Sequence, residues 1–159
     1  MTPRHPPRLE DWPFITTHNP SPSSNTRLRQ VALVAQDLDL ARTLLTKCIG
    51  TEVVYEDPDV ARWGLRNFII AIGGDFIEVV SPTEAGTSAG RLLEKRGDGG
   101  YMIIMQCENA AAQRDLVTQR GLAMVIFTQE QHGNICVQYH PSGIAGATLS
   151  NQNWLFSAF

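Results

Sequence analysis

From Leu28 onward, apolar and polar residues alternate with the two-residue period of strands, and the pattern gives way to a helical period at three places. Gln30-Val31-Ala32-Leu33-Val34-Ala35 predicts a strand buried on at least one face. Asp37 is placed to cap a helix running to about Ile49, with Leu38, Ala41, Leu44, Leu45 and Cys48 as its apolar stripe and Gly50 as its stop. Thr51 to Tyr55 is rich in β-branched residues, and Asp57-Pro58-Asp59 reads as a turn. Two further strands follow, about Trp63 to Ile72 and Asp75 to Ser81, joined by Gly73-Gly74. The order is β-α-β-β-β.

The same order then recurs. Thr83 to Ser88 is loop-like, and Ala89 to Arg96 suits a short amphipathic helix ended by Gly97. Tyr101 to Cys107 predicts a strand, Asn109 caps a helix to about Arg120, and Gly121 closes it. Leu122 to Thr128, Asn134 to His140 and Ala147 to Asn151 predict three more strands. The halves align under one constant shift, since 102 − 30 and 150 − 78 both equal 72, and no insertion interrupts the order. Internal duplication follows. The expected organisation is an irregular Pro/Ser-rich arm over 1–26, a first βαβββ module over 27–82 and a connector with a short helix over 83–98. A second module over 99–153 and a tail over 154–159 complete it.

Composition adds boundaries to this picture. The arm holds one apolar cluster, Trp12, Phe14 and Ile15, able to pack on the domain or on a partner subunit. A net charge of −3 offers no basic footprint for nucleic acid or an acidic membrane. No apolar run reaches the length of a membrane span, and no signal-peptide pattern stands at the start. Cys48, Cys107 and Cys136 lack metal or redox spacing and read as free, mostly buried thiols in a reducing compartment, so the expected location is the cytoplasm.

One residue in this pattern asks for a chemical reason. Glu78 sits within Phe76-Ile77-Glu78-Val79-Val80, and a carboxylate among bulky apolar neighbours is costly unless something holds it. A metal, a role as a base, or a set of hydrogen bonds would each serve.

The segments Gln30 to Leu38, Phe76 to Thr83, Gly99 to Cys107 and His140 to Gly146 resemble the vicinal-oxygen-chelate superfamily, in its glyoxalase-like and methylmalonyl-CoA-epimerase-like branch. The resemblance implies an α+β fold of two βαβββ half-barrel modules enclosing a cup. It also implies four inward ligands for a divalent metal, carried here onto Gln30, Glu78, Met102 and Ser150. The sequence departs from that set. Met102 is a soft thioether, Ser150 a weak neutral donor, and no histidine is among the four, so the expectation is no metal cofactor. A one-residue slip would bring Tyr101 in place of Met102.

Strand parity indicates the contents of the cup independently. Phe76, Glu78 and Val80 face inward, while Ile77 and Val79 face the helices. Ile135, Val137 and Tyr139 also face the helices, which turns Cys136, Gln138 and His140 inward. Gln30, Ala32 and Val34 line the first strand, and Met102, Ile104 and Gln106 the fifth. An apolar cavity with a few polar groups suits a small molecule. Glu78 and His140 are the candidate acid-base pair; Gln30, Met102, Gln106, Gln138 and Ser150 are candidate ligand contacts. Each has a plainer reading: Glu78 as an acceptor for a backbone amide or a partner for an arginine, His140 as a ring bonded to its own turn, Met102 as core filling. Three functions fit: a metal-independent isomerase, epimerase or lyase acting on an apolar carbonyl or hydroxyl metabolite; a non-catalytic binder; or a metal-dependent acyl-CoA epimerase with an unusual ligand set. A homodimer is expected, and the halves can pair within a chain or across two.

Overall fold

The computed structural model describes residues 26–131, 134–143 and 147–150. The arm, His132, Gly146, the end of the second module and the tail lie outside the described residues.

Among the described residues, eight strands and three α-helices follow the expected order. They are β1 (Arg27–Val34), α1 (Leu38–Ile49), β2 (Val53–Tyr55), β3 (Leu65–Ile72), β4 (Asp75–Pro82) and α2 (Ser88–Arg96). Then come β5 (Gly99–Gln106), α3 (Ala110–Gln119), β6 (Val125–Gln131), β7 (Asn134–Tyr139) and β8 (Ala147–Ser150). The Asp37 carboxylate accepts from the Asp39 and Leu40 amides at 3.1 and 2.9 Å, and Gly50 ends α1 at φ 72°. Asn109 caps α3 through the Ala112 amide at 2.9 Å.

One local prediction is corrected. Asp57-Pro58-Asp59 opens a 3-10 helix over Pro58–Trp63, so β3 starts at Leu65 and not at Trp63. The cause is local chemistry. The Asp57 side chain caps the Asp59 amide, Pro58 supplies a preset φ, and Gly64 stops the turn at φ 67°.

All eight strands form one sheet in the order β2-β3-β4-β1-β5-β8-β7-β6. Within each half the first and last strands pair in parallel, and β1 pairs antiparallel with β5 to join the halves within this chain. The pairing skips Arg29 in β1 and Tyr101 in β5, and likewise Val54 in β2 and Ile126 in β6. Each couple is 72 residues apart (101 − 29 and 126 − 54). The duplication therefore extends to the irregularities that bend the sheet, where extra residues sharpen twist and curvature.

Helices α1 and α3 cover the convex face. Leu38, Ala41 and Leu45 of α1 pack on Leu33, Phe68, Ile70, Ile77 and Val79, and α3 packs on Ile135, Val137 and Tyr139. Burying a side chain as completely as Phe68 or Ile70 stabilises the fold by about 1.5–3 kcal/mol each. Leu44 and Cys48, expected in the α1 stripe, are exposed. The contact face follows i, i+3, i+7 from Leu38, and these two lie beyond its edge.

The connector helix takes a place the pattern did not predict. Ala89 and Leu93 of α2 join Val60 of the 3-10 helix on Val34, Leu65 and Val80, closing one end of the concave face. The lips of the sheet also meet. Trp63 packs edge-on against Phe127 of β6 with centroids 6.0 Å apart, and Arg62 donates to Gln129 Oε1 at 2.9 Å.

Candidate functional site

Four strands bring their polar residues to the concave face. Gln30 and Ala32 come from β1, Asn67 from β3, Glu78 from β4 and Met102 from β5. Glu78 stands beside Ala32 in the sheet, and Ala32 beside Met102.

Glu78 is held by two side-chain amides. Asn67 Nδ2 donates to its Oε1 at 2.5 Å, and Gln30 Nε2 to its Oε2 at 2.6 Å. The orientation of Asn67 is fixed from behind, because the Asp57 backbone N–H donates to Asn67 Oδ1 at 2.9 Å. A backbone N–H only donates, so the other end of the Asn67 amide must be its NH2. Gln30 is 1% exposed and Asn67 4%, whereas Glu78 keeps part of its surface accessible.

The electrostatics follow from this setting. Burial pushes the Glu78 carboxyl above its ordinary 4.5; the Asn67 hydrogen bond pulls it back, the Asp57 charge pushes it further up, and the Gln30 bond lowers it. Desolvation is the largest cause and sets the direction.

The other expected residues are less closely gathered. Met102 lies on the Glu78 row. The skipped Tyr101 packs against Val34, Val80 and Ala89, with its hydroxyl 2.8 Å from Ser88 Oγ, so the bulge brings both residues toward the concave side. Gln106 accepts from Arg27 Nε at 3.2 Å. Gln138 pairs with Thr148 and Phe127 in the sheet and is half-buried. Ser150 is 2% exposed and pairs with Gln106. The β8 position beside Ile104, itself 72 residues from Ala32, is Thr148. By register the counterpart of Glu78 is therefore Thr148, two residues short of the place a constant shift assigns. His140 lies just past β7, where its Nδ1 is 2.6 Å from Ser142 Oγ and accepts the Ser142 amide at 3.2 Å. Those two bonds are the turn-binding alternative. Cys136 adds a buried thiol to the concave side, pushed up to about 12 by burial and so unreactive.

Asn67 escaped the sequence reading. Its signal was a residue of low β propensity inside Leu65-Arg66-Asn67-Phe68-Ile69-Ile70, the kind of polar intrusion that made Glu78 conspicuous.

These residues do not fit a divalent metal. Both Glu78 oxygens receive amide N–H groups, and Gln30 turns its NH2 toward the carboxylate, where a shared cation would need the carbonyl oxygen. A thioether and a hydroxyl would complete the set, and both are poor donors for hard or borderline ions. Among the described residues no three His, Cys, Asp or Glu side chains group as a metal site. The shallow depression between α1 and β2 is no better candidate. Thr46 and Thr51 there donate to backbone carbonyls, and Arg42 pairs with Glu56 at 2.7 Å.

Comparison with known proteins gives a consistent picture. The sequence model of the glyoxalase-like domain family matches residues 7–156. A search of curated proteins finds no match. Among solved structures, a variant of Streptomyces coelicolor methylmalonyl-CoA epimerase in complex with 2-nitronate-propionyl-CoA superposes with a TM-score of 0.71 at 19% identity. That match covers 80% of this chain and 95% of the epimerase. The methylmalonyl-CoA epimerase of Mycobacterium tuberculosis gives 0.71 at 19% identity, covering 83% and 91%. A hypothetical protein of Bacillus halodurans gives 0.68 at 15%, covering 80% and 93%. At such identities the likeness establishes the fold.

Proposed function

Because the chain belongs to the glyoxalase-like domain family, within the vicinal-oxygen-chelate superfamily, we propose that it is an acid-base enzyme of the isomerase, epimerase or lyase type. Its substrate is a small or medium apolar metabolite bearing a carbonyl or hydroxyl, and its chemistry uses no resident metal. The observation that carries the reading is Glu78, the carboxylate of a half-buried residue on the concave face, clamped by two amides and raised above its ordinary pKa by burial. A raised carboxylate is a stronger base once ionised, and its pKa moves toward the pH at which proton transfer is most effective. Glu78 takes a proton from carbon beside the substrate carbonyl, the electron pair moves onto the carbonyl oxygen, and the Glu78 carboxyl returns the proton to a second carbon on the same face of the delocalised anion, which completes isomerisation. Asn67 and Gln30 are positioning residues that hold the carboxylate at one angle. His140, occupied by its own turn, receives no role.

The epimerase structures with acyl-CoA ligands support a small molecule in a cup of this kind. Deuterium incorporation in D2O, followed by mass spectrometry over a panel of carbonyl and hydroxyl metabolites that includes methylmalonyl-CoA, tests the reading. Wild-type protein treated with EDTA should label at least one compound, and Glu78→Gln should lower the rate about 10²-fold or more. Labelling within a few fold of wild type in Glu78→Gln removes Glu78 as the base. Labelling that appears only with added Mg²⁺ or Co²⁺ removes the metal-free mechanism. Ligand binding with no labelling at all leaves a binding module.

A further inference from the structure

We propose that this site recognises its ligand through a hydroxyl or N–H that the ligand donates to Gln30 Oε1, beside Glu78. Its substrate is then an apolar body carrying a hydrogen-bond donor beside the reacting centre, and not a bare carbonyl that offers only acceptors. The inference rests on the assignment of the Glu78 face as the site.

The argument is one of enforced orientation. The Asp57 N–H fixes Asn67 Oδ1 as its acceptor, so Asn67 Nδ2 must face Glu78. The Glu78 carboxylate then holds the NH2 of Gln30, which points the Gln30 carbonyl oxygen away from it. That oxygen is buried and has no hydrogen-bond partner among the described residues, on a side chain 99% removed from solvent. A buried acceptor left alone is costly, because its bond to water is lost and nothing replaces it. The cost falls away when a donor arrives. Beside the orphan oxygen, each Glu78 oxygen accepts one side-chain amide bond and retains a second acceptor direction. Within this cluster, Gln30 Oε1 is therefore the polar atom left without any partner among the described residues. A ligand carbonyl would leave that oxygen unpaired, while a hydroxyl would bond to it. Selection by an unpaired buried group is strong because the wrong ligand leaves that group unpaired.

Phenol and anisole provide the test, since they share a ring and differ in whether the oxygen carries a proton. Each is titrated into uniformly ¹⁵N-labelled full-length protein while the side-chain NH2 resonances of Gln30 and Asn67 are followed. Phenol should shift both resonances and bind roughly fivefold or more tightly than anisole, the worth of one neutral hydrogen bond. Gln30→Met, close in volume, should erase that preference. Equal binding of the two ligands, titrations that leave the Gln30 resonance unmoved, or a preference that survives Gln30→Met would each overturn the proposal. Should Gln30→Met fail to fold, the wild-type comparison decides alone. Neither titration requires turnover, so loss of the base assignment in the Glu78→Gln experiment leaves this result standing, and the reverse also holds.

Discussion

Asn67 cannot be turned round without stranding the Asp57 amide, and that constraint passes through Glu78 to Gln30. A backbone N–H on one loop thus decides which atom of a glutamine two strands away is left unbonded. Holding a carboxylate there has a thermodynamic consequence. Because the Glu78 pKa is raised on folding, the folded chain binds its proton more tightly than the unfolded chain does. Between the unfolded value near 4.5 and the higher folded value, stability therefore falls as pH rises, and it levels off above the folded value. Glu78→Gln imitates the protonated form and removes this slope. Its thermal midpoint should match wild type near pH 4 and exceed it at pH 7 by about 2–4 °C, corresponding to ~1 kcal/mol. A difference between variant and wild type that stays constant from pH 4 to 7 would show that Glu78 titrates normally. Higher stability with lower turnover in the same variant is the usual mark of a functional residue.

At the level of elements, the short 3-10 helix does more than connect β2 to β3. Asp57 caps it, supplies the amide that orients Asn67 and adds charge near Glu78, while its far end presents Arg62 and Trp63 to β6. Its stop is stringent. A methyl group on Gly64 would lie 3.0 Å from Thr87 Cγ2 and 3.1 Å from Glu84, at a φ of 67° that side chains resist. Gly50 ends α1 at a similar φ but faces open space. Gly64→Ala should therefore lose about 1–3 kcal/mol in urea unfolding, against about 1 kcal/mol for Gly50→Ala. Equal losses would mean that the loop before α2 moves aside without cost.

For the whole molecule, the bulges and the lip contacts convert a flat repeat into a cup. Two matched pairs of skipped residues curve the halves, and the β1–β5 pairing joins them in one chain. The curvature then brings the 3-10 helix of the first half against β6 of the second, although β3 and β6 stand far apart in the strand order. The Trp63–Phe127 contact measures that closure. A double-mutant cycle with Trp63→Ala and Phe127→Ala should give a coupling of about 0.5–1.5 kcal/mol. Additive losses would place the two lips apart in solution. No described helix is long and apolar enough to cross a membrane.

Period and punctuation in the sequence carried the order of elements, the duplication and the two faces. Asp37, Asn109, Gly50 and Gly121 bound their helices through bonds between near neighbours, and alternation around Glu78 and Tyr139 follows from a two-residue repeat that tertiary contacts do not alter. Glu78 was conspicuous for the same reason, as a charge where the repeat demands an apolar residue or a purpose. Three features needed the folded chain. The register of β8 against β5 comes from pairing across long separations, which is how Thr148 comes to face Ile104. The seat of α2 on the concave face follows from where a connector of that length lands on a curved sheet. The chain of bonds from Asp57 through Asn67 and Glu78 to Gln30 joins residues up to 48 apart in sequence, and no local pattern encodes such a distance.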